Sequence, residues 1–203
     1  GAKDDLIDRL IEASHNIPYV ELYTSCEATG AAAEYIRDGM IWKQWVDNCI
    51  KIADKGSFKQ FHVMATINGL CLPTITNFLD LVLLSKEQYG RSWPTVTLNI
   101  LRFPSFQSPL VLSLGHRHSY MCTLQQWLNN NRDSEFLHEH EIHHLQRLID
   151  YLDIVKTPHS EAFDLPRLHN DFKQFYRQYD ERRSKNFTAT FPMIAQWYDS
   201  IQI

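Results

Sequence analysis

Cysteine is scarce in this chain of 203 residues, and its spacing matches no cysteine-rich motif. The four cysteines, Cys26, Cys49, Cys71 and Cys122, are far apart, and no C-x-x-C pair occurs. Structural zinc and iron–sulfur sites require at least one closely spaced pair of thiolates. The sequence therefore predicts free thiols in a reducing, cytoplasmic environment, without a structural metal site or a disulfide framework.

Strong charge and long apolar runs are also missing. The formal net charge is -4 and the pI is about 6.2. Because no polybasic run occurs, we expect neither a nucleic-acid partner nor a membrane partner. The longest nearly uncharged run, from Phe61 to Leu79, is interrupted by polar residues, a glycine and a proline, which argues against a transmembrane helix. No signal peptide is recognisable, and the start G-A-K-D-D resembles a processed or cloned terminus, so we expect residues upstream to be missing.

Apolar residues are abundant enough for a packed core, at 44% hydrophobic and 12% aromatic. Three segments rich in β-branched and aromatic residues predict strands: residues 18–26, 58–67 and 95–101. Helical spacing of apolar residues predicts helices at three places: residues 4–14, 41–53 and 73–89. Strands separated by helices of this length predict a parallel sheet. We expect the small residues from Ala28 to Ala33 to form a loop.

The remainder of the chain has helical periodicity. We predict helices over four segments: about residues 119–129, 134–155, 164–182 and 193–201. An asparagine cluster at residues 129–131 and the Thr157-Pro158 pair are expected to separate the first three. The predicted organisation is an α/β region over residues 1–115 and a helical extension over residues 116–203 that packs on it as one structural unit.

The most conspicuous motif is H-E-x-x-H, formed by His140, Glu141 and His144. This spacing on a helix is typical of zinc hydrolases, in which two histidines hold the metal and the glutamate acts as general base. A helical projection around the apolar residue Leu145 places Glu141 toward the core and both histidines toward solvent. A third ligand has no clear candidate, although Glu161 or His159 is a formal possibility. We therefore favour a solvated helical face over a metal site.

Polar residues follow the three predicted strands, where parallel sheets bind ligands. Ser25, Cys26 and Glu27 follow the first strand, and Arg37 lies a few residues further along the chain. Asn68 follows the second strand, and Arg102 to Pro104 follow the third. A simpler interpretation is that Arg37 pairs with Glu34 or Asp38 on the surface.

Several of these segments resemble one enzyme family in their order along the chain. Y-T-S-C-E-A-T-G-A-A-A-E-Y-I-R-D-G-M-I-W, which begins at Tyr23, resembles the fourth strand, loop and helix of radical S-adenosylmethionine (SAM) enzymes with twitch or SPASM-type extensions. F-H-V-M-A-T-I-N-G-L-C-L-P from Phe61 is similar to the fifth strand of that family, and T-L-N-I-L-R-F-P is similar to the sixth. Y-D-E-R-R-S-K-N-F-T-A-T-F-P from Tyr179 resembles the ending of that group.

The resemblance implies an incomplete (β/α) barrel, or half-barrel, with about three parallel strands and a C-terminal helical region. It places Ser25 and Glu27 near the SAM ribose, Arg37 near the SAM carboxylate and Asn68 near the cofactor edge. Members of the family hold a [4Fe–4S] cluster through C-x-x-x-C-x-x-C, which this chain lacks. SAM and the cluster are thus implied only for a complete family member, and no cofactor is expected in this chain alone.

Two functional expectations follow from the resemblance and from its missing motif. The first is a C-terminal fragment or cluster-less relative of a radical SAM enzyme that is not catalytically competent by itself. The alternative is a non-enzymatic α/β protein-interaction module, and a zinc hydrolase is the remote third. A half-barrel would leave the strand from Tyr19 to Cys26 with an unpaired edge. We expect the N-terminal helix to cover that edge, or two chains to associate there as a homodimer.

Overall fold

The three segments rich in β-branched and aromatic residues form the strands of a parallel sheet in the computed structural model. The structure describes residues 4–90, 93–154 and 164–202. The strands are β1 (Glu21–Ser25), β2 (Gln60–Ile67) and β3 (Thr95–Ile100). The helices of the described residues are α1 (Asp4–Asn16), α2 (Gly30–Ile36), α3 (Trp42–Lys55), α4 (Ile75–Tyr89), α5 (Leu114–Asn131), α6 (Glu139–Leu152), α7 (Leu165–Arg183), α8 (Phe187–Thr190) and α9 (Pro192–Ser200).

The sheet has the strand order β1-β2-β3, and all its strands are parallel. The prediction of a mixed α/β fold with a three-stranded parallel sheet is therefore confirmed. The sheet does not close on itself, so β1 and β3 are its two edges. The predicted chain break at Thr157-Pro158, and the proposed ligands His159 and Glu161, lie outside the described residues.

The two faces of the sheet differ sharply. Along β2, every second side chain from Phe61 to Ile67 is buried, and the intervening side chains are half-buried or exposed. The buried side joins the hydrophobic core with residues of α3 and α4, such as Ile52 and Phe78. The other face has little cover: Tyr23 of β1 is 53% exposed and Met64 of β2 is 41% exposed. Parallel sheets are usually buried on both faces, so an open face of this kind is unusual.

Register pairs show which side chains share the open face. Tyr23 lies opposite His62, and their rings stack with centroids 5.0 Å apart. Met64 lies opposite Thr97, and Thr66 lies opposite the neighbouring residue of β3 on this face, Asn99. The face is therefore mainly polar, unlike the apolar surface that normally packs against a second layer of helices.

One predicted loop is a helix. Residues Ala28 to Ala33 were expected to be irregular, but α2 begins at Gly30, after the N-cap Thr29. Alanine has the highest intrinsic helix propensity, and Ala32 and Ala33 are buried, so both propensity and packing favour the helix. The expectation treated small residues as a loop signal and was wrong.

Helix α6 starts later than its periodicity predicts. Ser134 accepts a hydrogen bond from the N–H of Phe136, and His138 and Glu141 form a reciprocal capping box. Local side-chain bonds of this kind compete with the helix and define its first turn. The helix consequently begins at Glu139 instead of Ser134. Within the described ranges, no helix is both long and apolar enough to span a bilayer.

Candidate functional site

Glu27 and Arg37 meet just beyond the carboxyl end of β1. Oε2 of Glu27 accepts from Nε of Arg37 at 3.0 Å and from its terminal NH2 nitrogen at 2.6 Å. The Glu27 side chain is only 4% exposed, whereas that of Arg37 is 32% exposed. Burial raises the pKa of Glu27, and the bonds from Arg37 act in the opposite direction. The partner of Arg37 in this pair is Glu27, rather than Glu34 or Asp38.

Asn68 is used to turn the chain after β2. Its Oδ1 accepts from the N–H of Leu70 at 2.8 Å and from the thiol of Cys71 at 3.3 Å. This Asx-type turn leads into the 3₁₀ turn Leu72–Thr74, which precedes α4. The side chains of Cys26 and Cys71 are fully buried beyond the ends of β1 and β2. The acceptor oxygen of Asn68 is therefore already used by bonds within the fold. The sequence-predicted ligand roles of the strand-end residues remain predictions.

A cavity of about 550 Å³ follows the outer edge of β1. Four consecutive residues from Leu22 to Ser25 line it, and consecutive strand residues share a surface only along a strand edge. The opposite wall comes from Ile7 and Leu10 of α1 and from residues of α3, with Arg37 at one end. Two predicted site residues, Ser25 and Arg37, thus share this cavity.

Helix α1 covers the β1 edge only partly. It is anchored to α3 and to the residues that follow it, because His15 bonds the carbonyl oxygen of Lys55 and Ser14 accepts from the N–H of Ser57. Among the described side chains, none of α1 or α3 bonds a main-chain group of β1. Two large apolar side chains that line the cavity, Tyr23 and Ile41, stay exposed.

The helix that carries the H-E-x-x-H motif, α6, covers the opposite edge of the sheet, along β3. Glu141 accepts from the N–H of Val96 at 2.8 Å, and Nδ1 of His144 accepts from the N–H of Leu98 at 3.2 Å. Arg147 donates to the carbonyl oxygen of Leu98 at 2.6 Å. Three residues at i, i+3 and i+6 of α6 therefore satisfy main-chain groups of β3 that a neighbouring strand would otherwise bond.

This geometry corrects the prediction that both histidines of the motif face solvent. Glu141 faces the core, as predicted, and is 4% exposed. His140 is exposed, but His144 is half-buried against β3, so the prediction was wrong for His144. A neutral His144 that accepts at Nδ1 carries its proton on Nε2, so neither ring nitrogen presents a lone pair to a metal. Glu141, paired with Lys86, is not placed as a general base.

The end of α7 and the residues directly after it bond to the loop that carries Arg37 and to the helix before that loop. We call Tyr179, Asp180, Arg183 and Lys185 the C-terminal clasp. Asp180 accepts from the hydroxyl of Tyr35 at 2.6 Å, and Tyr179 donates to the carbonyl oxygen of Tyr35 at 2.7 Å. The other two members contact Asp38: Arg183 by an ion pair and Lys185 at 3.0 Å. The clasp thus lies next to Arg37, one of the predicted site residues.

Sequence reasoning did not identify the clasp or the partner of Glu141. The partner is Lys86, which occupies the same helical stripe as Leu79, Val82 and Leu83 on α4. A lysine on an apolar stripe and a glutamate on the core side of another helix are a detectable signal of a buried ion pair. The clasp has no comparable signal, because its partners are about 145 residues apart and several of its bonds go to main-chain atoms.

The sequence resemblance implies two groups, SAM and an iron–sulfur cluster, and the described residues suit SAM better than the cluster. Ser25 and Arg37 line one cavity, and a guanidinium there suits a carboxylate such as that of SAM. Glu27 is bonded to Arg37 and buried, so it would accept from a ribose only after that pair opens. No group of three or more metal-ligating side chains occurs among the residues that the structure describes. Comparisons with protein-family models, with curated proteins and with solved structures found no match for the chain.

Proposed function

We propose that this chain is the carboxyl-terminal half of a radical SAM-like barrel and is not catalytically competent by itself. The observation that carries the proposal is the open, mainly polar face of a parallel sheet whose other face is packed against helices. A face of this kind suits the inner wall of a half-barrel that surrounds a ligand. Buried free thiols agree with a cytoplasmic location.

The common location of the predicted cofactor-binding residues supports this proposal. Ser25 is the last residue of β1, Glu27 and Asn68 follow β1 and β2 at the same end of the sheet, and Arg37 reaches that end from the loop after α2. In a complete barrel, Arg37 would pair with the SAM carboxylate, and Ser25 and Glu27 would lie near the ribose. The [4Fe–4S] cluster would have to be held by a cysteine motif outside residues 1–203.

The β1 edge supports a second candidate, a protein-interaction module. The β3 edge is closed by α6, whereas β1 borders a cavity rimmed by exposed apolar side chains. Such an edge is a template for another strand, supplied by a missing half of the barrel or by a second copy of the chain as a homodimer. The two candidates therefore share one physical requirement, which is an added strand at β1.

One experiment separates the candidates at the level of the gene. The reading frame directly upstream is sequenced, and a continuous frame that encodes C-x-x-x-C-x-x-C supports the half-barrel. A start codon directly before this segment, together with a concentration-dependent dimer in sedimentation, would contradict the half-barrel and favour the interaction module.

A biochemical test follows if the longer frame exists. The longer chain is reconstituted anaerobically with iron and sulfide, and cleavage of SAM to 5′-deoxyadenosine is measured. Arg37→Met should raise the KM for SAM by about tenfold or more, since it removes a charge-assisted contact. Arg177→Met is the matched control, because Arg177 lies on α7 beside Glu181 and is exposed. Equal KM values for the two variants would refute the role of Arg37.

A further inference from the structure

We infer that Asp180 and Lys185 of the C-terminal clasp are positioning residues that hold Arg37 against Glu27. The importance of Arg37 for a ligand rests on the function proposed above. The evidence for the clasp is a set of contacts between two segments about 145 residues apart in the chain. The clasp can therefore be tested without any ligand.

Lys185 caps the end of α2. Its Nζ donates to the carbonyl oxygen of Glu34 at 2.6 Å and lies 3.5 Å from that of Tyr35. These carbonyl groups belong to the last turn of the helix, where main-chain acceptors lack intrahelical partners. An ammonium group also interacts favourably with the negative end of a helix dipole. The Lys185 side chain is only 20% exposed, so water competes weakly for these bonds.

Asp180 fixes the same helix through a buried tyrosine. Tyr35 is 2% exposed, and its ring packs among aromatic side chains that include Phe187 and Phe191. One carboxylate oxygen of Asp180 accepts from the Tyr35 hydroxyl, and the other accepts from the N–H of Phe187 at 2.7 Å. A single carboxylate thereby joins α2, the end of α7 and the start of α8.

Arg37 directly follows the helix that the clasp holds. Its N–H donates to the carbonyl oxygen of Ala33, and its own carbonyl oxygen accepts from the N–H of Met40, both at 2.9 Å. Glu34 closes the loop by accepting from the N–H of Trp42 at 2.8 Å. Because the loop is tied at both of these ends, its position depends on where the clasp places α2. Loss of the clasp should let this loop open locally and withdraw the guanidinium from Glu27.

The test compares Lys185→Met and Asp180→Asn with the matched control Arg182→Met. Arg182 is exposed on the same turn, and no described bond joins it to the loop. Hydrogen exchange is measured at the amides of Arg37 and Met40, together with the NMR signal of the Arg37 Nε–H. In the two clasp variants, we expect about tenfold faster exchange at both amides and loss of the protected Nε–H signal. Lys185→Arg should restore protection, since it keeps the cation.

A merely structural role predicts a different pattern. If the clasp only stabilises the whole fold, exchange at Val63 and Ala65 in β2 should rise by the same factor as exchange at Arg37. That result, or a Lys185→Met variant indistinguishable from Arg182→Met, would overturn the inference. Unchanged exchange in β2 with faster exchange at Arg37 and Met40 would support it. Because no SAM is present, this outcome is independent of whether the proposed function holds.

Discussion

Lys86 and Glu141 form a buried ion pair between α4 and α6, with Nζ 2.6 and 2.5 Å from the two carboxylate oxygens. Both side chains are at most 5% exposed. The carboxylate also accepts from the N–H groups of Val96 and His138, and the ammonium donates to the carbonyl oxygen of Phe136. Each of these bonds is internal to the fold, so Glu141 joins α4, α6 and the edge of the sheet.

This pair predicts a strong coupling between two substitutions. Lys86→Met should lower the free energy of unfolding by about 3–5 kcal/mol, because it leaves a buried carboxylate without its cation. Lys86→Met combined with Glu141→Gln should recover part of that loss, since the glutamine carries no charge and its single amide oxygen keeps one of the two bonds from Val96 and His138. Urea unfolding of the wild type, both single variants and the double variant measures the coupling.

The control for this cycle is Glu139→Gln, which makes the same chemical change on the same helix. The side chain of Glu139 is 88% exposed. Glu139→Gln should therefore change the free energy of unfolding of the protein by less than about 0.5 kcal/mol. Additive effects of Lys86→Met and Glu141→Gln would contradict the idea of a coupled pair.

Stability should also fall in mild acid because of His144. Burial lowers the pKa of His144, and the nearby Arg147 and His140 charges act in the same direction. The unfolded chain therefore takes up its proton more readily below about pH 6.5, so stability decreases as the pH falls through the lowered pKa. A protonated ring also cannot accept from the N–H of Leu98. The free energy of unfolding, measured from pH 8 to pH 5, should drop less steeply in His144→Asn than in the wild type.

His143 provides the comparison for this pH effect. It lies one residue earlier on α6, with a side chain that is 71% exposed. His143→Asn should follow the pH profile of the wild type. His62, whose pKa is lowered by burial, adds to the acid sensitivity of all these proteins. A His144→Asn profile parallel to that of the wild type would show that the bond to β3 is not pH-sensitive.

The sequence was informative wherever one local rule decided the outcome. Apolar periodicity and β-branched segments predicted the parallel strands and the described helices except the short α2 and α8. The projection of α6 placed Glu141 on the core side. Sequence spacing did not identify which residues pair: Glu27 with Arg37, 10 residues apart, and Lys86 with Glu141, 55 residues apart, are brought together by the fold. The H-E-x-x-H pattern gave no sign of what its residues bond. Glu141 and His144 accept from main-chain N–H groups at the β3 edge, a role that no short motif encodes.

The thiols should differ in reactivity. Burial raises the pKa of Cys26 to about 12 and also raises that of Cys49 and Cys71, whereas Cys122 is exposed on α5. Because the thiolate is the reactive form, iodoacetamide at pH 8 should modify Cys122 first. Mass spectrometry should find one fast modification in the native protein and four in denaturant. Cys122→Ser should abolish the fast phase, and a second fast site would contradict the described burial.

Metal content provides a direct test of the zinc hypothesis. Protein purified without a nickel column should contain less than one zinc per chain, and a chelator should leave the thermal midpoint unchanged. The physical reason is that Glu141 is held by Lys86 and His144 by β3, so the motif offers only His140 freely. Stoichiometric zinc, together with loss of a hydrolytic activity in Glu141→Gln, would establish the hydrolase instead.

The Glu27 carboxylate should reveal its dependence on Arg37 through pH. Arg37→Met removes the cation that opposes the effect of burial, so the pKa of Glu27 should rise further in the folded protein. The folded state then holds a proton that the unfolded chain releases, and the stability of Arg37→Met should decrease as the pH rises from about 4.5 toward neutrality. Adding Glu27→Gln should remove this pH dependence, because no titrating group remains at the position. The measurement is urea unfolding at pH 5 and pH 7.5, with Arg177→Met as the charge-matched control. If Arg37→Met is no more sensitive to rising pH than that control, Glu27 and Arg37 are not coupled in solution.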